Sequence, residues 1–266
     1  MSCDELRRRL SRAKLRDDDQ RCNRPGSAGL GKPVGCPVRI SAALAAALVL
    51  PVATPAQPAG DWASLARYQS ANAALGPPKP GEQRVVFYGN SITDSWAKYF
   101  DAMFPGKPYV GRGISGQTTP QMLVRFRQDV IALQPAAVVI LAGTNDIAGN
   151  TGPSTLEMIE DNLVSMVELA KANDIRVVLS SVLPVFDYPW KPGLEPASKI
   201  IALNAWVRRY AAAHDVVYLD YHTSMADERG GMRDGISTDG VHPNEAGYRI
   251  MAPLAERAIG EALRRP

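Results

Sequence analysis

The chain predicts an α/β domain built on an open, doubly wound parallel sheet, and two observations lead there. Five short apolar segments are continuous rather than alternating, which suits strands covered by helices on both faces. Amphipathic helical stretches separate them, and such βαβ alternation implies right-handed crossovers and a three-layer arrangement. A length of 266 residues accommodates one domain of this kind with a sizeable core, and no internal repeat or second domain is evident.

Taken in order from residue 61, the strand candidates are residues 84–88, 109–112, 137–142, 176–180 and 216–220. Between the second and third, Leu123, Phe126, Val130 and Leu133 form a helical stripe, with Thr119 as the expected cap and Pro120 at the first helical position. Between the third and fourth, Leu156, Ile159, Leu163, Met166 and Ala170 form a second stripe. Ser154 opens it, with Glu157 three residues on in a capping-box pattern. Residues 184–196 follow the fourth strand and carry four prolines and three aromatics, so a stiff loop is expected there rather than a helix. The segment from Asn244 reads as helical, with Pro253 kinking or dividing it.

The first 60 residues differ in character. Residues 1–56 hold 10 of the 30 Lys and Arg and 5 of the 27 Asp and Glu, so the remainder carries a formal charge of −2 although the whole chain carries +3. A basic balance confined to the leader argues against a nucleic-acid partner for the rest. Cys3, Cys22 and Cys36 also lie in the leader, which excludes a disulfide framework and thiol catalysis from residues 57–266. Arg39 followed by the apolar run 40–50 has the shape of a signal peptide, too short for the ~20 residues of a membrane span. The expected division is therefore 1–37 as a disordered or mis-called extension, 38–60 as signal peptide and short linker with cleavage between Ala56 and Gly60, and 61–266 as the working domain. A translation start nearer Val34 or Val38 would account for the Arg- and Asp-rich first segment. The expectation is export to the periplasm or medium, with no integral membrane span in the mature chain.

Four blocks carry chemistry. Gly89-Asn90-Ser91-Ile92-Thr93-Asp94 places a serine at the mouth of the first buried strand, and Asp239-Gly240-Val241-His242-Pro243 places an acid and a base three residues apart near the end. A serine hydroxyl is a poor nucleophile without a neighbouring base, so Ser91, His242 and Asp239 supply nucleophile, base and orienter. Between them lie Gly113-Ile114-Ser115-Gly116-Gln117 and Gly143-Thr144-Asn145-Asp146. The serine block is not a Gly-x-Ser-x-Gly elbow, because Thr93 stands two residues after Ser91.

In this order the four blocks resemble the SGNH (GDSL-type) hydrolases, a family of serine esterases and lipases, over residues 84–259. The chain departs from the Gly-Asp-Ser-Leu pattern at Asn90 and Ile92, so whatever an aspartate does for the serine loop must be done differently here. The resemblance implies a flavodoxin-like, five-stranded parallel sheet of order 2-1-3-4-5. Residues after strands 1, 2 and 3 then meet at the switch point where such sheets bind ligands. It implies catalytic Ser91, Asp239 and His242, and an oxyanion hole of the Ser91 and Gly116 backbone N–H groups with the Asn145 amide. It also implies no cofactor and no metal. The implied partner is a small ester or an acetylated carbohydrate, with similarity to the acetylhydrolases of platelet-activating factor and to carbohydrate acetylesterases. Lysophospholipase and acyltransferase activities would use the same site.

Other residues compete for these roles. Gly113 is the alternative oxyanion glycine and His222 the alternative base, whereas His214 reads as a solvated helix end. Asp94, Asp146 and Asp187 read as exposed loop acids, the first two able to edge the pocket. Phe186, Tyr188 and Trp190 either stack on substrate at the rim or pack their loop onto the body. Metal-assisted phosphoester hydrolysis is disfavoured, since only one of three histidines sits in a motif. A ligand-binding module on the same fold would lack catalytic residues, and none is missing.

Overall fold

A computed structural model describes residues 60–265. The proposed extension and most of the proposed signal segment fall outside the described residues.

The sheet contains β1 (Val85–Gly89), β2 (Tyr109–Gly113), β3 (Ala137–Leu141), β4 (Arg176–Ser180) and β5 (Val217–Leu219), all parallel, in the order β2-β1-β3-β4-β5. Fold class and strand order are as expected. Each strand agrees with its sequence reading to within one residue at either end.

Helices cover both faces. In chain order they are α1 (Gln69–Leu75), α2 (Ser91–Trp96), α3 (Phe100–Met103), α4 (Thr119–Asp129), α5 (Thr144–Ile147), α6 (Leu156–Lys171), α7 (Ala197–Ala213), α8 (His222–Met225) and α9 (Glu245–Arg264). Alternate residues of each strand feed opposite cores. Val86, Tyr88, Val138, Ile140 and Leu179 pack with Met122, Phe126, Ile159, Leu163 and Leu203 from α4, α6 and α7. Val85, Phe87, Val139, Val178 and Leu219 pack with Trp96, Phe100, Tyr248, Met251 and Ala255 from α2, α3 and α9. The period-2 alternation of a strand thus serves two cores at once, which is why every residue of β1 and β3 is buried and apolar or glycine.

Local signals shift by a residue in two places. The cap of α4 is Thr118, which forms a capping box with Gln121, because the Thr119 hydroxyl is taken by Asp146. The cap of α6 is Thr155, whose hydroxyl accepts the Met158 N–H, rather than Ser154. Asn244 caps α9, and Pro253 leaves that helix undivided. Residues 184–196 are an irregular loop, closed by Asp187. Its carboxylate accepts the N–H groups of Tyr188, Gly193 and Leu194, and the bond from Gly193 leads in holding it below the usual carboxylate range.

No helix among the described residues is long and apolar enough to cross a membrane.

Candidate active site

Strand ends and helix starts converge at the carboxyl edge of the sheet. Ser91 is the first residue of α2, immediately beyond β1. Asn90 caps that helix from a buried position, its side-chain oxygen accepting the Ile92 N–H at 3.4 Å. The uncharged amide thus supplies the cap of the serine turn. Gly113 at the end of β2 lies so close to α2 that a Cβ would stand 2.1 Å from the Asp94 nitrogen. It is a packing glycine, and it is not among the residues that line the crevice. Tyr248 of α9 donates to the Ile92 carbonyl at 2.8 Å and stacks on Trp96 at 5.4 Å, tying the C-terminal helix to the serine helix.

That tie brings the loop before α9 over Ser91. Ser91 Oγ lies 2.8 Å from His242 Nε2, and His242 Nδ1 lies 2.7 Å from Asp239 Oδ2. Asp239 Oδ1 accepts the main-chain N–H groups of Val241 and His242 at 3.0 and 2.8 Å. Burial acts to raise the Asp239 carboxyl, but its hydrogen bonds from His242 and Val241 and the His242 charge prevail, holding it below the ordinary value. An ionised carboxylate only accepts, so whenever the ring carries a single proton that proton sits on Nδ1. The Nε2 lone pair then faces the serine hydroxyl.

Gly116 adopts φ +79°, a left-handed conformation that favours glycine, and no atom lies within 4 Å of where a Cβ would be. The reason for glycine is therefore conformational. Asn145, buried in the first turn of α5, donates one amide hydrogen to the Gln117 carbonyl at 2.9 Å, which leaves its second hydrogen for a ligand. Ser91, Ser95, Ser115, Gly116, Asn145, Asn150, Trp190 and His242 together line one crevice of about 490 Å³.

The three aromatics of the loop have separate fates. Trp190 walls the crevice, 45% exposed, its indole N–H donating to Asn150 at 3.3 Å and its ring 6.1 Å from that of His242. Tyr188 is not among the crevice walls. It is fully buried, and its hydroxyl bonds the Thr144 carbonyl and hydroxyl, both at 2.9 Å, which braces α5. Phe186 is exposed beneath the Arg229 guanidinium, 5.2 Å from ring centre, and is not among the crevice walls.

Asp146 is likewise not an exposed acid. It is buried beneath the site and accepts the N–H and hydroxyl of Thr119, holding the start of α4, while burial raises its carboxyl above the usual range. Asp94 edges the crevice by accepting from Ser115 at 2.9 Å. His222 lines a separate cavity with Arg208, Tyr218 and Asp220, so the fallback base is away from Ser91, and burial lowers its pKa. His214 caps the end of α7 at the surface.

Three residues escaped the sequence reading. Ser237 donates to the His242 carbonyl at 2.8 Å and accepts the Gly240 N–H at 2.9 Å, which shapes the Asp239–His242 turn. Its Ser-x-Asp-Gly context is turn chemistry that a reader could have used. Asn150 bridges the Gly116 carbonyl and Trp190 and carries no local signal, whereas Gln117, which belongs to the Gly116 block but had no role assigned, lies buried against Asn145.

Membership of the family whose model it matches puts the protein in the class of carboxylic ester hydrolases, and the sheet order is the one that family resemblance implied. The family model for the GDSL-like lipase/acylhydrolase family matches residues 87–250, and the chain belongs to that family. A candidate acylhydrolase of Bacteroides fragilis is 47% identical, with a TM-score of 0.75 over 77% of this chain and 100% of that one. A GDSL-like lipase of Bacteroides thetaiotaomicron is 46% identical, with a TM-score of 0.73 over 75% of this chain and 98% of that one. An acetylxylan esterase of Xylanibacter ruminicola is 27% identical over 219 residues, which cover 68% of this chain but only 44% of that protein.

Proposed function

We propose that this chain is a serine esterase that removes short acyl groups, acetyl first, from a carbohydrate or small lipid alcohol through an acyl-Ser91 intermediate. The observation that carries the reading is the unbroken Ser91–His242–Asp239 hydrogen-bond line, 2.8 and 2.7 Å, opening on the crevice. Ser91 Oγ attacks the acyl carbon as its proton passes to His242 Nε2. The carbonyl oxygen becomes an oxyanion received by the N–H groups of Ser91 and Gly116 and the free hydrogen of Asn145. Collapse breaks the carbon–oxygen bond to the alcohol, which leaves with the proton from Nε2. Water repeats the cycle and releases the acid. Asp239 holds the ring in the required tautomer and stabilises its cation. No step needs a cofactor or metal.

A short acyl group suits a crevice walled by Ser95, Ser115, Asn145 and Asn150, with Trp190 the one large flat side chain among its lining residues. Trp190 would stack on the alcohol part of the substrate, whether a sugar ring or a small lipid. The acetylxylan esterase relative supports the same choice. Residues 61–266 form the catalytic unit in this reading. Arg39 and the apolar run 40–50 support export with removal of the leader, which N-terminal sequencing of the exported protein would test: an intact leader would overturn it.

The test of function is hydrolysis of p-nitrophenyl esters from acetate to palmitate by the protein and its Ser91→Ala variant, with and without chelator. A chelator-resistant rate that needs Ser91 and falls beyond butyrate is expected. A preference for long chains would overturn the acyl assignment, and undiminished turnover in Ser91→Ala would overturn the mechanism.

A further inference from the structure

Gln117 is not among the crevice walls, yet its main-chain groups bond the segments that carry Gly116 and Asn145 while its side chain is anchored behind them. Its side chain is 3% exposed. Its main-chain carbonyl accepts the Asn145 amide at 2.9 Å, the bond that orients the proposed oxyanion donor. Its main-chain nitrogen follows Gly116 directly and donates to Ile114 at 3.3 Å, closing the turn that presents the Gly116 N–H. Its side-chain oxygen accepts from Arg125 Nε at 2.6 Å, and its side-chain nitrogen donates to the Ala63 carbonyl at 2.7 Å.

Arg125 makes this more than local packing. It is fully buried on α4, paired with Asp129 at 3.0 Å, and lies 4.3 Å from the centre of the Tyr88 ring. Its remaining donors reach the Gly89 carbonyl at 2.9 Å and the Arg112 carbonyl at 3.0 Å, at the ends of β1 and β2. One guanidinium therefore spans the strand that delivers Ser91 and the strand that delivers Gly116, and Gln117 carries that reference frame to Asn145. The segment before α1 closes the other side: Ala63 holds Gln117, Tyr68 donates to the Gly113 carbonyl, and Trp62 accepts from Gln121 at 2.6 Å.

We propose that Gln117 is a positioning residue for the oxyanion hole, holding the Gly116 N–H and the Asn145 amide in one register against the frame set by Arg125 and Ala63. The inference rests on the oxyanion reading above. A fixed donor pair is worth most to the transition state, because the oxygen moves and gains charge there, so loss of register lowers kcat more than it weakens binding. Misplacement of such groups by ~1 Å costs about 10²-fold in rate.

The experiment is a double-mutant cycle on p-nitrophenyl acetate with Gln117→Met, which preserves bulk and removes both side-chain hydrogen bonds, and Asn145→Ala. Gln117→Met is expected to lower kcat by about 10- to 100-fold with KM within about twofold. Added to Asn145→Ala, it is expected to cost clearly less than it does in the parent, because one of the two donors it positions is already removed. A parent-like kcat for Gln117→Met, or losses that multiply in the double variant, would overturn the proposal. Should Gln117→Met fail to fold, Gln117→Glu keeps an acceptor for Arg125 and is read by the same cycle. A parent-like kcat for Asn145→Ala alone would instead refute the oxyanion reading, and that single variant tells the two failures apart.

Discussion

Asp239→Asn separates the chemistry of the His242 loop from its architecture. The carboxylate does two jobs with two oxygens: Oδ1 accepts two main-chain N–H groups at 3.0 and 2.8 Å, and Oδ2 faces the ring Nδ1 at 2.7 Å. An asparagine satisfies the main-chain pair only by turning its carbonyl toward them, which aims its amide at Nδ1. Nδ1 must then accept, the ring proton moves to Nε2, and Ser91 Oγ loses the lone pair that should take its proton. A wrong tautomer in a Ser-His-Asp triad costs about 10⁴ in kcat, or ~5.4 kcal/mol of barrier at ~1.36 kcal/mol per tenfold. Solvent screening does not soften this, because the loss follows from proton placement. The turn keeps its main-chain bonds, so the thermal midpoint is expected to stay within a few degrees. Asp239→Ala gives a different signature: it removes both main-chain bonds as well, for about 1 kcal/mol of stability at this half-exposed turn. Steady-state kinetics on p-nitrophenyl acetate with parallel thermal melts measure both effects. An Asp239→Asn enzyme that keeps more than about a tenth of its kcat would refute the tautomer argument.

Further outcomes can be measured on the same protein. Gly116→Ala places a Cβ on a residue at φ +79°, costing about 1–2 kcal/mol and turning the N–H away from the crevice, so both the thermal midpoint and kcat should fall. Trp190→Ala should raise KM more than it lowers kcat, whereas Tyr188→Ala should cost ~3–5 kcal/mol of stability by emptying the core beneath α5; urea melts and kinetics distinguish the two. The Asp239 carboxyl is held below its unfolded value of about 3.9, so its stabilisation is present above that pH and is lost as pH falls through the lowered folded value. The acid limb of the melting temperature should therefore be shallower in Asp239→Asn than in the parent.

Much of this was legible beforehand because the signals were local. Strands buried on both faces read as continuous apolar runs, and the Ser91 and Asp239–His242 blocks, read as one constellation from sequence, lie within hydrogen-bond distance of each other. Sheet order came from family likeness, since nothing in residues 84–88 says which strand lies beside them. The errors arose where a distant partner decided the outcome. Thr118 and Thr119 are equally good caps by sequence, and the choice falls to Thr118 because Asp146 claims the neighbouring hydroxyl. Tyr188 shares its loop and aromatic character with Trp190, but Thr144, 44 residues away, bonds its hydroxyl in the interior. Gln117 reads as a polar turn residue and Arg125 as an ordinary polar helix residue until the fold buries them together.

The most direct test of the acyl-Ser91 intermediate is rapid quench of the protein with p-nitrophenyl acetate in the first turnover, followed by peptide mass analysis. The account predicts one acetyl group on the peptide carrying Ser91, formed with a burst of p-nitrophenol and absent from Ser91→Ala. Acetyl on another residue, or a Ser91→Ala variant that releases p-nitrophenol at the parent rate, would contradict it.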